Sequence, residues 1–489
     1  MRRLKSGLKS VLVRSGHNVL LRKFLSFSIG NWIVLIIGLI STPLITRIIE
    51  PTEYGKYSMF IMYANIFMLV ITCGLDQAYV RFFYEEDETN RNRLLFESIK
   101  IPMILNLALI IVVIIFKVPI SESIIGEYSF SFIILLLINI TLASISRFSL
   151  LTVRMKQKGK LYSFLQVAQK ITYLISIGLF IMMFECDFMT LAYATLISNI
   201  TIVGISIFSE RDTWKFKGVK HKVLKNSQKD IIKYGVPLIF TFMVAWVFQS
   251  ADKVAIKAYG SYADVGIYGS AMNIIAILNI LQSSFVTFWT PVSFEKYEEN
   301  PEDTKFFSDM NDILSFSMFL IGIGLITFKD LIVLLLGEKY RMASYIMPFL
   351  VFMPVLYTMS EVSVVGINFK KKPKYHIIIA SIACVFNIIG NYILVPKLGA
   401  KGAAISTGIA YMILYYSRTL ISRKLYNVDY HIGRTTIIIA SMAVLALYSS
   451  FNDFSIITVG LAVINIVITL LLYKDAIKDI INKVLKTNV

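Results

Sequence analysis

Charged and amide side chains set inside apolar runs are the residues of this chain that could do chemistry, because each must be compensated or used where water is scarce. Lys170 lies about nine residues into the run from 161 to 184, which is about 14 Å deep at about 1.5 Å per residue. Gln166, Gln169 and Tyr173 share its helical face by spacings of three and four. A cation backed by amides and a hydroxyl suits an anionic headgroup; a structural ion pair, or a lysine reaching toward water, fits the same stripe. Farther along, Thr241, Gln249, Asp252 and Lys253 fall close to one stripe, with Pro237 near its entrance removing a backbone donor. Asp252 either neutralises Lys253 in a salt bridge or binds a coupling cation while Lys253 faces an anion. Glu361, about seven residues from the inner end of its run and so about 10 Å deep, is the carboxylate placed well inside a span. Burial there favours the protonated acid and suits proton exchange, whereas a neighbouring Lys or Arg would make it one half of an ion pair.

A second group sits where apolar runs end. Arg47 follows Pro43 near the outer end of the first run, where it completes a cationic mouth or reaches to lipid headgroups. Asp76 and Arg81 after the second run, and Arg147 and Arg154 around the end of the fourth, form a basic entrance or simply mark the cytoplasmic side. Asp76 is also a candidate for ion coupling. Asn279, Gln282, Ser283 and Thr287 make a further polar stripe suited to sugar hydroxyls or to contacts between helices. Cys73, Cys186 and Cys384 are far apart without a C-x-x-C pair, and the four histidines are scattered, so no metal site is expected.

The elements that must position these residues follow from composition. Hydrophobic residues make up 56% of the 489 positions and charged residues 16%. The apolar residues fall into runs near 24–46, 57–75, 95–116, 129–152, 161–184, 187–208, 230–251, 266–290, 306–328, 344–368, 375–395, 400–421, 432–450 and 454–473. A bilayer core of about 30 Å needs about 20 apolar residues per helix, so about fourteen transmembrane helices leave only short connections. The expectation is an all-α, polytopic transmembrane helix bundle. The net charge of +18 excludes little by itself, but its charges lie between the spans rather than on a soluble basic face, which argues against nucleic acid.

Orientation can be tested by counting Lys and Arg on alternate loops. With the amino terminus inside, about ten lie outside and about 37 of the 49 inside, the asymmetry of a protein with both termini in the cytoplasm. The chain divides into a basic amphipathic leader over 1–23, a six-helix bundle over 24–208, a basic linker over 209–229, a second six-helix bundle over 230–421, and a terminal helix pair with a basic tail over 422–489. Glu53-Tyr54-Gly55-Lys56-Tyr57 after the first span has a counterpart in Asp264-Val265-Gly266-Ile267-Tyr268 after the seventh. Two pseudo-symmetric bundles would produce that repeat; so would a coincidence of Gly and Tyr at helix starts.

The stretch ADKVAIKAYGSYADVGIYGSAMNI from Ala251 to Ile274 resembles the central signature of the polysaccharide-export branch of the MOP superfamily, the Wzx-type flippases. TRIIEPTEYGKYS, CGLDQAYVRFFYEE, VRMKQKGKLYSF and PKLGAKGAAIST match further landmarks in order. The resemblance implies a transporter rather than an enzyme. Its substrate would be an undecaprenyl-pyrophosphate-linked sugar repeat unit, moved from the inner to the outer leaflet of the cytoplasmic membrane by alternating access around a cationic cavity. O-antigen, capsule and exopolysaccharide are the glycans such proteins serve. No cofactor is implied; the coupling ion is H+ or Na+. Partners would be the lipid-linked oligosaccharide, membrane lipids, and the polysaccharide polymerase with its chain-length machinery. A lipid II flippase, a MATE-type multidrug antiporter, and a membrane polymerase or glycosyltransferase are the alternatives, the last lacking an outer loop long enough for catalysis.

Overall fold

The structure is a computed structural model. It describes residues 30–474 apart from 31, 35, 184–185 and 217–223, together with 478. The expected leader over 1–23, part of the linker and most of the basic tail lie outside the described residues.

All regular structure among the described residues is helical. In chain order the helices are α1 (Trp32–Ile48), α2 (Pro51–Thr72), α3 (Leu75–Phe82), α4 (Arg91–Ile115), α5 (Lys117–Ile125), α6 (Phe130–Met155) and α7 (Gly159–Met183). Then come α8 (Phe188–Ser209), α9 (Gln228–Gly235), α10 (Leu238–Tyr259), α11 (Tyr262–Ile275), α12 (Leu278–Glu299), α13 (Thr304–Thr327) and α14 (Lys329–Val333). The last are α15 (Ala343–Leu350), α16 (Phe352–Ser363), α17 (Val365–Phe369), α18 (Lys374–Leu398), α19 (Ala400–Leu425), α20 (Ile432–Phe451) and α21 (Ile456–Leu472). Ten continuous helical segments among the described residues are long and apolar enough to cross a bilayer, and the pair α11–α12, bent by 41°, supplies an eleventh. Helices α1 and α21 are apolar but shorter, and α19 is long but more polar. With these three the fourteen expected spans each have a helix.

Several spans are broken rather than straight, which apolar runs do not reveal. Helix α2 stops at Thr72 because Cys73 and Gly74 adopt left-handed backbone, φ 47° and 72°, before the chain resumes as α3. Helix starts are set by short polar side chains. Ser129 caps α6, Asp187 caps α8, and Ser261 with Asp264 forms a capping box on α11.

The chain separates into two compact units, one drawn from Met1–Ser41 and Lys56–Met243, the other from Thr42–Gly55 and Val244–Val489. In the first, α3 meets the end of α9 backbone to backbone: a Cβ on Gly74 would lie 2.1 Å from the Gly235 carbonyl oxygen. Leu75, Tyr79, Phe83, Leu94, Leu95, Phe148 and Ile231 pack around that contact. Ser206 of α8 donates to Ser149 of α6 at 2.7 Å, and buried Glu210 receives Lys156 at 2.7 Å and Lys158 at 2.5 Å where these helices end.

In the second unit the start of α2 crosses the start of α11. A Cβ on Gly55 would lie 1.8 Å from the Tyr262 carbonyl oxygen, and one on Gly266 would lie 2.0 Å from that of Pro51. The two glycines of the sequence repeat therefore pack on each other, a physical reason for glycine at both positions. Beside them Asn273 donates to the Tyr54 hydroxyl at 2.6 Å. The terminal pair α20–α21 is fastened to α13 by Arg434, which pairs with Asp312, donates to the Leu472 carbonyl at 3.3 Å, and lies 4.2 Å over the Tyr473 ring. His431 completes this joint, with Nδ1 3.2 Å from Asp312.

Replacing Gly266 by Ala is expected to destabilise the purified protein by about 1–3 kcal/mol through backbone overlap with Pro51. Gly178→Ala, where a Cβ meets nothing within 4 Å, should leave the thermal midpoint in detergent unchanged or slightly raised. Equal midpoints for both variants would remove the glycine crossing as a structural requirement.

Candidate functional site

Four helices of the second unit converge on Asp252, which is 4% exposed near the end of α10. Its Oδ1 accepts from Asn387 at 3.0 Å and Asn391 at 2.8 Å, both on α18. Its Oδ2 accepts from Thr407 of α19 at 2.5 Å and from the Tyr268 hydroxyl of α11. Asn387 and Asn391 reach one point because they are one helical turn apart. The α18–α19 hairpin brings Thr407 opposite them, its arms pressed together where a Cβ on Gly390 would lie 2.4 Å from Ser406 Oγ. Asn387 also donates to Thr407 at 3.1 Å, so the side chains form one network.

One atom of this network is left over. Asn391 Oδ1 is buried without a hydrogen-bond partner, although Asn391 is 2% exposed. The orientation of an amide is an assignment made from its network. Turned over, Asn391 would set a carbonyl oxygen beside the carboxylate and the hydroxyls of Thr407 and Tyr268. With Asn387 turned as well, the enclosure would be all oxygen with a single negative charge, which suits a hard monovalent cation rather than a transition metal. No group of three or more His, Cys, Asp or Glu that would hold a metal occurs among the described residues.

The salt bridge weighed between Asp252 and Lys253 does not form. Neighbours on a helix point about 100° apart, and Lys253, half-buried, makes no ion pair with any described residue. Lys170 in the first unit is likewise half-buried and without a carboxylate partner among the described residues. Its expected companions line the same face of α7. Gln169 donates to Asn199 at 3.4 Å, Gln166 donates to Tyr162 at 3.4 Å, and Gln166 Oε1 is buried with no partner. Tyr173 lies beside Tyr57, which bonds Thr195 at 2.9 Å.

Glu361 is in an ion pair. Arg418 of α19 donates from Nη1 to Glu361 at 2.8 Å and to Ser360 Oγ at 2.7 Å, and its guanidinium lies 4.6 Å over the Tyr357 ring. Tyr357 meets Tyr411 edge-on at 6.4 Å, and Tyr411 stacks on Phe248 at 5.2 Å. Thr407, Tyr411 and Arg418 share one face of α19, as Phe248 and Asp252 do on α10. The second unit therefore carries a continuous band from the Asp252 cluster through an aromatic tier to the Glu361–Arg418 pair.

The remaining candidates stand apart from these clusters. Asp76, 5% exposed, accepts on Oδ2 from Arg147 Nε at 3.0 Å and Nη2 at 2.9 Å, and from Gln77 at 2.7 Å. Arg81 pairs at 2.5 Å with Glu85, which lies just past the end of α3. Arg47, Arg154 and Gln249 are exposed. Sequence reading missed Tyr268, Asn387, Asn391, Thr407 and Arg418. Two asparagines one turn apart in an apolar run were the available signal, and Arg418 looks like one more cytoplasmic charge.

Residues 20–297 match the family described as polysaccharide biosynthesis protein. An uncharacterized membrane protein of Methanocaldococcus jannaschii is 24% identical over 408 residues, covering 78% of this chain and 80% of its own length. Among solved structures, the lipid II flippase MurJ in an inward closed conformation superposes with a TM-score of 0.67 at 20% identity, over 94% of this chain and 99% of that one. An inward-facing MATE family multidrug resistance transporter of the MOP superfamily gives 0.55 at 15% identity, over 82% and 99%. At these identities the likeness is one of fold.

Asp252→Ala removes the acceptor shared by four buried donors and should cost at least about 1–3 kcal/mol. Lys253→Met breaks no ion pair and removes an uncompensated charge, so it should leave the stability unchanged or raise it. Thermal midpoints of the two variants in one detergent check this contrast, and a larger loss for Lys253→Met would invert the assignment.

Proposed function

Because the chain belongs to the polysaccharide biosynthesis protein family, we propose that it is a membrane flippase carrying an undecaprenyl-pyrophosphate-linked oligosaccharide repeat unit from the inner to the outer leaflet of the cytoplasmic membrane. The observation that carries this reading is that Lys170 and Lys253, both within spans, have no carboxylate partner among the described residues. A cation in that setting is costly unless an anion is brought to it, and a pyrophosphate is such an anion. Gln166, Gln169 and Tyr173 around Lys170 would meet sugar hydroxyls or phosphate oxygens. The work is transport, with no bond made or broken by the protein.

Movement against a gradient needs a coupling ion, and the Asp252 enclosure supports one: Na+ held by the carboxylate, the Thr407 and Tyr268 hydroxyls and turned amides, or H+ on the carboxylate. The Lys and Arg asymmetry of the loops supports an orientation with both termini in the cytoplasm. The product would pass to a polysaccharide polymerase and its chain-length machinery, for an O-antigen, capsule or exopolysaccharide. Likeness in fold to MurJ favours lipid II as a second reading of the cargo.

Deletion of the gene followed by lipid extraction separates the two. Accumulation of complete lipid-linked repeat units on the inner leaflet is expected; accumulation of lipid II with normal surface glycan would favour the second reading, and altered drug tolerance alone would sink both. Lys170→Ala should abolish complementation while reaching the membrane at normal levels, and normal export by that variant would take Lys170 out of the site. NaCl in place of choline chloride should raise the thermal midpoint of the wild type but not of Asp252→Asn. A midpoint indifferent to Na+, with transport that follows pH, would assign the site to a proton.

A further inference from the structure

The Glu361–Arg418 pair is held differently from the buried pair between Asp76 and Arg147. Arg147 grips Asp76 with two nitrogens, Nε and Nη2. Arg418 reaches Glu361 with Nη1 alone, and the same nitrogen also serves Ser360. A guanidinium has five N–H donors in a planar fork matched to a carboxylate or phosphate edge. Here the pair is one-pronged, so the fork is not closed on its carboxylate. Its plane is nevertheless fixed, because it lies over Tyr357 and is tied to Ser360. Side-chain exposures of 12% for Arg418 and 16% for Glu361 place both at the margin of the packed interior.

Glu361 is itself anchored. The Trp289 indole of α12 donates to its backbone carbonyl at 3.2 Å, and Trp289 is stacked between Phe285 and Phe306. The titratable groups around the pair are Tyr357 on the same helix, Tyr411 on α19 and His376 on α18, whose Nε2 bonds Asn368 at 2.9 Å. An aromatic tier above and a histidine beside leave one carboxylate and one guanidinium to balance each other.

Resting on the flippase reading, we propose that the pyrophosphate of the cargo displaces Glu361 from Arg418, and that the released Glu361 takes up one proton, so cargo binding and proton uptake occur together at this pair. Phosphate oxygens fit the guanidinium fork two at a time, which the present carboxylate does not do. The Glu361 carboxylate then stands without its counter-charge where water is sparse, and a proton from solution neutralises it to the acid. Before binding, the carboxylate stands against the guanidinium; afterwards one phosphate of the pyrophosphate stands against it beside a neutral acid, and the charge of the other phosphate is left for a further cation of the path. Release of the cargo reverses the exchange, Glu361 giving its proton to water and returning to Arg418.

The test uses the full-length protein in detergent with farnesyl pyrophosphate as a soluble prenyl pyrophosphate, titrated calorimetrically in two buffers of different ionisation heat. The wild type should take up about one proton per ligand and bind more tightly as pH falls, by up to about tenfold per unit. Glu361→Gln should bind at least as tightly, with about one proton less taken up per ligand than the wild type, the terminal phosphate of the ligand titrating alike in both. Arg418→Gln should weaken binding about tenfold to a hundredfold. Arg418→Lys, which keeps the charge but not the fork, should fall between; thermal midpoints confirm that each variant is folded. Proton uptake that is undiminished in Glu361→Gln, or that falls in His376→Asn instead, overturns the exchange while leaving the flippase reading intact. So does unchanged affinity in folded Arg418→Gln. A wild type that binds no prenyl pyrophosphate at all removes the flippase reading and the exchange together.

Discussion

A carboxylate inside the spans must be met by donors or a counter-ion, since an uncompensated charge there costs several kcal/mol. Asp252 is met entirely by neutral donors, and those donors come from three other helices. That requirement explains much of the second unit. Helix α18 must present Asn387 and Asn391 on one face, the α18–α19 turn at Gly399 must be tight enough to set Thr407 opposite, and α11 must begin early enough to bring Tyr268 alongside. The capping box at Ser261 and Asp264 fixes where α11 starts. Small residues at Gly390 and Gly402 let the hairpin close. Each local choice serves one network, which is the consistency expected where several polar groups share a low-dielectric interior.

Spans were legible because a bilayer imposes a length on apolar runs and a sign on the loops between them. Breaks within spans were not, because they depend on backbone torsions and tertiary contact. Gly74 permits a left-handed break but nothing in the run announces that Cys73 joins it, and the 41° bend between α11 and α12 falls at Ala276 and Ile277, where the sequence is uniformly apolar. Charged candidates were found and neutral ones were missed for a related reason. Lys170, Asp252 and Glu361 stand out against apolar neighbours, whereas Asn387, Thr407 and Tyr268 resemble the polar residues that hold transmembrane helices together. Their role depends on convergence, which one-dimensional spacing cannot show for residues 135 and 155 positions from Asp252. Arg418 was hidden by its place near an inner helix end, where the loop-charge rule already accounts for an arginine.

The repeated Gly55 and Gly266 carry a different lesson. A five-residue likeness between two helix starts is weak as a pattern, yet both glycines are required by one crossing, each occupying the space that the other's neighbours leave. Helix starts that approach within backbone contact admit no Cβ, so glycine at both is a packing necessity rather than a trace of symmetry alone. Gly74 and Gly235 repeat the device in the first unit. Close backbone approach of this kind favours helices that pack through small residues, which lipid tails cannot replace by hydrophobic pressure.

Three carboxylates of the spans and their ends can finally be ordered by how completely they are held. Asp252 has four donors and no cation; Asp76 has a two-pronged arginine and an amide; Glu361 has a single nitrogen shared with a serine. A guanidinium gripping one carboxylate oxygen with two nitrogens defines geometry and is costly to displace, because leaving either partner unpaired exposes a buried charge. A one-pronged pair at the margin of the interior has less to lose, and its arginine can improve its own bonding by accepting an anion with two oxygens to offer. An enclosure of neutral donors has a different property: it accepts a change of charge, since hydroxyls and amides can turn to present oxygen instead of hydrogen. Burial alone would not separate Asp76 from Asp252, both of them buried. The number and kind of their partners separates a two-nitrogen grip at Asp76 from a one-nitrogen pair at Glu361 and an enclosure of neutral donors at Asp252.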